Sequence, residues 1–477
     1  MDYTIEAERG RAPLPPSKRL WGFWEYTWAN AALAIATWGF LIGGSLALVV
    51  DVKSGLVAII LGNVLGVLLV GLAVSVSAGK YGTEQYTFMR SVFGHNGSRV
   101  IYTVAMILLT VGWLVVLGTM FGRSIDSAIS VVSDREPDPN APYIYVITII
   151  AIALTAYIVA KGPTSIKLFN VIVAPALILV MGFMIWLFLS DSSLSDLLAL
   201  DALARPFDSN AVNFMIAVEI NIAAGFSWWP YIGNLSRITK NERTAFWPNL
   251  IGIGFAASLG EAVGLIGAIK YGNADPTQWM AETGGLWMSA IVLVFIAFAN
   301  ITSMANILYT AVVGLRQMFG ALLRNVSWEW LVYGFCIVPV IVMFAIPGLY
   351  DGFMTFLVWT AAIYSALTGI MLVDYFLLRR QRVDLKQLFI EDKSSVYYFT
   401  GGYNIAAMAA TVIGIVIFTV TFNPLSFEHT GYFRYTTASL LAAVAAGLIY
   451  WALSVLIVVP RGLGGYPTSR AKTLTRS

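Results

Sequence analysis

The sequence predicts an all-α integral membrane protein of about twelve transmembrane helices. Three observations carry that prediction: an apolar composition, twelve apolar runs of spanning length, and basic loops gathered on one side. Hydrophobic residues make up 58% of the 477 positions and charged residues 12%, about half the ~25% charge of an ordinary soluble domain. That balance excludes a soluble fold. A net charge of +3 with no pooled basic patch excludes nucleic acid as a partner. The fifteen Trp exceed the needs of an apolar core and suit anchors at the two membrane interfaces.

A helix needs roughly 20 mostly apolar residues to cross the hydrocarbon. Such runs lie near 27–50, 56–78, 100–122, 143–160, 167–190, 211–233, 247–270, 286–315, 330–347, 353–377, 402–421 and 436–459, and are numbered here as spans 1 to 12. With the N-terminus in the cytoplasm, the inner loops collect fifteen Lys and Arg, whereas the outer loops hold only Lys53, Arg123, Arg135, Arg205, Lys270 and Arg434. Four more basic residues stand in each tail. The asymmetry follows the positive-inside rule and predicts a multi-pass protein of the plasma (cytoplasmic or inner) membrane with both termini cytoplasmic.

Residues 1–26 and 461–477 read as cytoplasmic tails around a single membrane domain, 27–460, and a monomer is expected. The opening MDYTIEAERGRAPLPPSKRL is polar, so no cleaved leader is expected. The single cysteine, Cys336, lies in the apolar run of span 9, which leaves neither a disulfide framework nor a thiolate metal site.

Every backbone amide in hydrocarbon needs a partner, so small residues within a span mark either a helix opened onto a cavity or a close contact between helices. Span 1 reads WANAALAIATWGFLIGGSLALVV and span 6 reads FMIAVEINIAAGFSWWPYIGNLSR. They stand five spans apart, as a broken-helix pair around a midplane site would. Composition alone leaves both explanations open.

Span 8 reads VFIAFANITSMANILYTAVVGL, with Ala299, Thr302 and Ser303 at i, i+3 and i+4 on one face. One carbonyl and two hydroxyls there suit a hard monovalent cation. The competing explanation is hydroxyl bonding to the carbonyl one turn earlier. Glu219 and Glu261 are the two acids well inside apolar runs, where acids are functional candidates by default. Glu219, two turns before the expected break in span 6, reads as a substrate contact, a proton carrier or a partner for nearby backbone. Glu261 reads as structural.

Four stretches carry a family resemblance: LVDYFLLRRQRVDLKQLF at 372–389, RSVFGHNGSR at 90–99, VGWLVVLGTMFG at 111–122, and the span 8 segment. They resemble the nucleobase-cation-symport family 1, whose members carry cytosine, purines, uracil, allantoin, hydantoins and related rings. The similarity runs from about residue 18 to 460. It implies a leucine-transporter-like fold: a 5+5 inverted repeat, with repeat 1 at about 27–190 and repeat 2 at about 211–378, plus two C-terminal helices over about 402–459.

The resemblance also implies a site. Na+ is expected between the carbonyls of Ala32 and Ile35 in span 1 and Ala299, Thr302 and Ser303 in span 8. A small flat heterocycle is expected between Trp113 of span 3 and the broken stretch Ala224–Gly225 of span 6, with Asn306 of span 8 bonding the ring. Ala36, Thr37, Asn221, Trp228 and Glu219 complete the expected lining. The chain departs from the hydantoin-carrier pattern, because Leu117 and Ala36 stand at glutamine positions and Gly225 at a stacking tryptophan. Hydantoin is therefore not expected, and Trp228 or Trp38 is the candidate second wall.

The expected function is Na+-coupled import of a nucleobase or related nitrogen heterocycle by alternating access, with no cofactor beyond the coupling ion. The alternatives are proton coupling through Glu219, or another heterocycle such as allantoin or a thiamine precursor. An intramembrane enzyme is remote: the two histidines, His95 and His429, fall in predicted loops, and the spans offer no facing Ser/Lys or paired-Asp arrangement.

Overall fold

The computed structural model describes residues 12–467 apart from 20, 35–36 and 284. Described helices occupy all twelve apolar runs. Spans 2, 3 and 4 are Val52–Tyr81, His95–Val132 and Tyr143–Ala160; spans 7 to 10 are Glu242–Tyr271, Leu286–Met318, Trp328–Ala345 and Phe353–Leu378; span 12 is Ala438–Val458. Among the described residues these eight are long and apolar enough to cross a membrane, and Asn210–Phe226 with Trp229–Ser236 adds a ninth, span 6, bent by 40°. Phe23–Ala34 and Thr37–Ala47 flank residues 35–36 in span 1, and Pro163–Asp191 and Ile405–Thr421 fill spans 5 and 11.

Burial separates inner from outer helices. In span 9, Trp330, Tyr333, Ile337, Ile341 and Phe344 recur every three or four residues and are 40–72% exposed. An apolar stripe of that size is unstable in water and is the face a bilayer covers. Conversely, every residue from Thr37 to Ala47 in span 1 and from Ile216 to Phe226 in span 6 is buried. The two spans singled out by their small residues form the centre of the molecule.

Those small residues serve packing. A Cβ at Gly43 would lie 2.0 Å from the Glu261 carbonyl oxygen of span 7, and one at Gly225 would lie 2.7 Å from Gly66 Cα of span 2. Span 1 thus lies backbone to backbone on span 7, and span 6 on span 2. Buried amides bind the same four helices: Asn30 Nδ2 donates to Asn249 Oδ1 at 2.8 Å, and Asn249 Nδ2 donates to Ser75 Oγ at 2.9 Å and Ser236 Oγ at 3.2 Å.

The break in span 6 falls later than the sequence reading placed it. Ala224 and Gly225 sit within continuous helix, and the chain turns at Ser227–Trp228. The cause is Pro230, in the first turn of the following helix. It has no N–H for the ladder and its ring excludes the carbonyl four residues back. Ser227 Oγ donates to the Ala224 carbonyl at 2.6 Å, occupying an acceptor at the interruption.

Gly225→Ala should lower unfolding stability in detergent by roughly 1–3 kcal/mol through overpacking. Gly182→Ala in span 5, where an added Cβ meets nothing within 4 Å, should not. Thermal unfolding of the pair tests this, and equal stability of both variants contradicts the span 2 contact.

Candidate functional site

A narrow cavity of about 60 Å³ lies where spans 1, 3, 6 and 8 meet. Its aromatic walls come from three of them. Trp113, midway along span 3, lies edge-to-face on Phe353 and Phe356 of span 10, each with centroids 5.6 Å away. These contacts fix the indole at the cavity wall. Trp38 of span 1 and Trp228 at the span 6 break meet edge-to-face at 5.8 Å and 67°, and both line the cavity. The adjacent Trp229 points away and stacks on Tyr364 of span 10 at 5.1 Å. The interruption thus sends two neighbouring indoles in different directions.

Polar groups come from the facing side. Ser303, Asn306, Ile307 and Thr310 fall on one face of span 8 and all line the cavity. Asn306 Nδ2 donates to the Thr302 carbonyl at 2.7 Å, and Thr310 Oγ1 donates to the Asn306 carbonyl at 3.0 Å. On span 6, Tyr231 follows Trp228 by one turn, and its hydroxyl lies 3.2 Å from Thr110 Oγ1 of span 3. Leu33 precedes the midpoint of span 1, whereas Leu235 and Thr310 lie late in spans 6 and 8. The cavity therefore runs from mid-depth toward the face at which span 1 begins.

Of the expected substrate residues, Trp113, Trp228 and Asn306 line this cavity together, and Ser303 of the expected ion site joins them. Thr302 is half-buried beside them, its Oγ1 donating to the Ala299 carbonyl at 2.7 Å. Thr37 is buried and its hydroxyl bonds Asn300 Oδ1, which ties span 1 to span 8. Ala32 lies in the helix Phe23–Ala34, and Ile35 and Ala36 lie outside the described residues.

Four expected lining residues are placed elsewhere. Ala224 and Gly225 are buried in helix, Gly225 directly against Gly66. Asn221 Nδ2 returns to the Ala217 carbonyl at 2.6 Å, with its Cβ facing Gly62. Glu219 accepts from the Ser439 N–H at 3.1 Å and from the Ser439 hydroxyl. Ser439 stands in the first turn of span 12, where backbone N–H groups lack helical partners and the dipole favours an anion. Glu261 accepts from Asn63 Nδ2 of span 2 at 2.6 Å.

Tyr231, Ser227, Thr310 and Leu33 line the cavity without having been singled out in the sequence. Trp228, Tyr231 and Leu235 carry a helical i, i+3, i+7 signal, which becomes readable only once the break is placed at Ser227–Trp228. Asn300 was equally visible as an intramembrane amide in FANITS.

An all-helical bundle with a bent central span and an aromatic cavity at the bend is the build of a multi-pass membrane transporter. The sequence profile of the family described as permease for cytosine/purines, uracil, thiamine, allantoin matches residues 13–432, and the chain belongs to that family, nucleobase-cation-symport family 1. It is 24% identical to the purine-uracil permease NCS1 of Arabidopsis thaliana, over 92% of this chain and 76% of that protein. It is also 24% identical to the cytosine permease of Escherichia coli strain K12, over 78% and 81% respectively.

Among solved structures it resembles the inward-facing conformation of Mhp1 with a TM-score of 0.77 at 20% identity, covering 96% of this chain and 94% of that one. The closed conformation of Mhp1 with bromovinylhydantoin bound gives 0.75 at 21%, covering 97% and 98%. The fold is leucine-transporter-like, and the relatives are permeases, so this is a transporter and not an enzyme.

Because both Glu219 oxygens face span 12, Glu219→Gln should cost roughly 1–3 kcal/mol of stability and leave heterocycle affinity within about twofold. Paired thermal unfolding and binding titrations check this. A tenfold loss of affinity at unchanged stability would put Glu219 in the transport site.

Proposed function

We propose that the protein is a secondary active symporter that imports a nucleobase or related nitrogen heterocycle by alternating access, driven by Na+. The observation that carries this reading is the cavity itself, lined by three indoles from three spans and by an amide on span 8. A flat ring stacked on Trp113 gains about 1 kcal/mol beyond its area. The Asn306 amide both donates and accepts, which suits a lactam or amidine edge. Trp38 and Trp228 supply the second wall. The purine, uracil and cytosine permeases among the relatives support the substrate class.

For the ion, the support is the oxygen set on span 8. The Thr302 hydroxyl donates to the Ala299 carbonyl at 2.7 Å, the bond of the competing explanation, and a bound ion would take both oxygens in its place, with Ser303 next to them at the cavity edge. Carbonyls of Ala32 and Ile35 complete the cage in this proposal. An uncharged oxygen set suits a hard monovalent ion, and among the described residues no three His, Cys, Asp or Glu gather as a metal site. Proton coupling through Glu219 is disfavoured by its contact with Ser439 of span 12, away from the cavity lining. A bound Na+ would join span 1 to span 8 and so favour one arrangement of the two. The positive-inside charge distribution supports cytoplasmic termini in the plasma or inner membrane, for a monomer whose repeats cover about 27–190 and 211–378.

Purified protein in liposomes should take up radiolabelled cytosine, uracil, adenine, guanine, hypoxanthine or allantoin saturably with an inward Na+ gradient and not with K+. Trp113→Ala should weaken binding of the accepted base about fivefold, as the loss of ~1 kcal/mol of stacking implies. Ser303→Ala should weaken the Na+ dependence of binding. Uptake indifferent to Na+ would overturn the coupling, and no response to any base would overturn the substrate class.

A further inference from the structure

Beyond the transport site, an open groove of about 450 Å³ lies between the segment before span 1, the end of span 2 and the link from span 6 to span 7. Four cations, Arg19, Lys80, Lys240 and Arg243, line it against one acid, Glu242. Its walls are built rather than incidental. The buried Arg19 guanidinium donates to the carbonyls of Leu14 at 3.0 Å, Gly79 at 2.5 Å and Lys80 at 3.2 Å. Trp21 N–H bonds the Ile238 carbonyl at 3.3 Å, and Lys240 N–H bonds the Trp21 carbonyl at 3.1 Å. Three separate stretches of chain are thereby held around one concavity.

Within it the charges are unevenly matched. Lys80 lies 3.8 Å from Glu242 and donates to the Gln381 carbonyl at 3.0 Å. The Lys240 and Arg243 side chains are exposed and make no hydrogen bond or ion pair among the described residues. The concavity therefore presents a surplus of positive charge to whatever enters it.

Its level in the molecule identifies the occupant. Trp24 and Trp28 project outward, 66% and 68% exposed, from the helix that begins just after Arg19. Trp247, 49% exposed, stands one turn beyond Arg243 on span 7. Exposed indoles on spanning helices mark the headgroup boundary of a bilayer. A cationic concavity at that boundary, opening beside lipid-facing aromatics, meets the phosphates of lipids before any soluble anion.

We propose that this groove binds the headgroup of an anionic phospholipid, with Lys240 and Arg243 on the phosphate and the acyl chains lying along the Trp24–Trp28 face. The proposal rests on the membrane placement of the chain and not on which solute it carries.

The test titrates short-chain dihexanoyl phosphatidylglycerol into the full-length protein in a neutral detergent and follows the thermal shift. A saturable stabilisation is expected. Lys240→Ala with Arg243→Ala should weaken its midpoint roughly thirtyfold, from about 1 kcal/mol per basic residue at an anionic surface at 1.36 kcal/mol per tenfold. Both residues are exposed, so the variant should fold. Lys386→Ala with Lys393→Ala removes the same charge from exposed sites outside the groove and should leave the midpoint nearly unchanged. No shift, or an equal shift with dihexanoyl phosphatidylcholine, would overturn the proposal. So would an equal shift with inorganic phosphate, which would mark a soluble-anion site, or an equal loss in the two double variants.

Discussion

A helix opened inside hydrocarbon stays folded only if its neighbours satisfy the main-chain groups and hold the two halves in place. At Ser227–Trp228 the molecule meets that requirement from several directions. The Ser227 hydroxyl takes the Ala224 carbonyl. After the break, Gln85 Nε2 donates to the Trp229 carbonyl at 2.8 Å, and Gln85 N–H bonds Asn234 Oδ1 at 2.9 Å. Before the break, Gly225 on Gly66 leaves the helix no room to slide. The aromatic cavity exists because these contacts make the interruption tolerable.

The same contacts divide the bundle. Spans 1, 2, 6 and 7 are joined by backbone-to-backbone approaches and by the Asn30–Asn249–Ser75 amides. Span 3 instead leans on span 10 through Trp113 with Phe353 and Phe356, and through the Tyr364 hydroxyl on the Ala105 carbonyl. The cavity lies between the two groups, crossed near mid-depth by Thr37 on Asn300. A second anchor sits at the end of span 10, where Arg379 and Asp374 form a fully buried pair at 2.6 Å. Tyr450 and Tyr466 both donate to Asp374, and Arg379 reaches the carbonyls of Ser91 and Gly464. Removing one member of such a pair is costly because the other is left charged and buried.

Much of this was legible in the letters, for identifiable reasons. Hydropathy reports length and burial, so described helices occupy the apolar runs, with most ends displaced by a few residues and the end of span 3 by ten. The LVDYFLLRR motif, one of the stretches that carried the resemblance, holds the Asp374–Arg379 anchor. The burial of that pair is not legible in the motif itself, since its partners come from Ser91, Tyr450 and Gly464, far away in the chain.

What composition did not separate was a thin helix packed tightly from a thin helix broken open. Gly43 and Gly225 turned out to be packing surfaces. The break depends instead on Pro230, whose effect is local and was visible in SWWPY. The three roles open to Glu219 could not be separated in the letters for a different reason: its partner, Ser439, lies 220 residues further on, and no local pattern announces a contact of that range.

The central claim is that the heterocycle sits among Trp113, Trp38 and Trp228, facing Asn306. Crystals of the protein grown with 5-bromouracil would locate the ring through the anomalous signal of bromine. The account predicts one peak inside the cavity, with the ring stacked about 3.5–4.0 Å from an indole face. A peak elsewhere, with the cavity empty at saturating ligand, would contradict it.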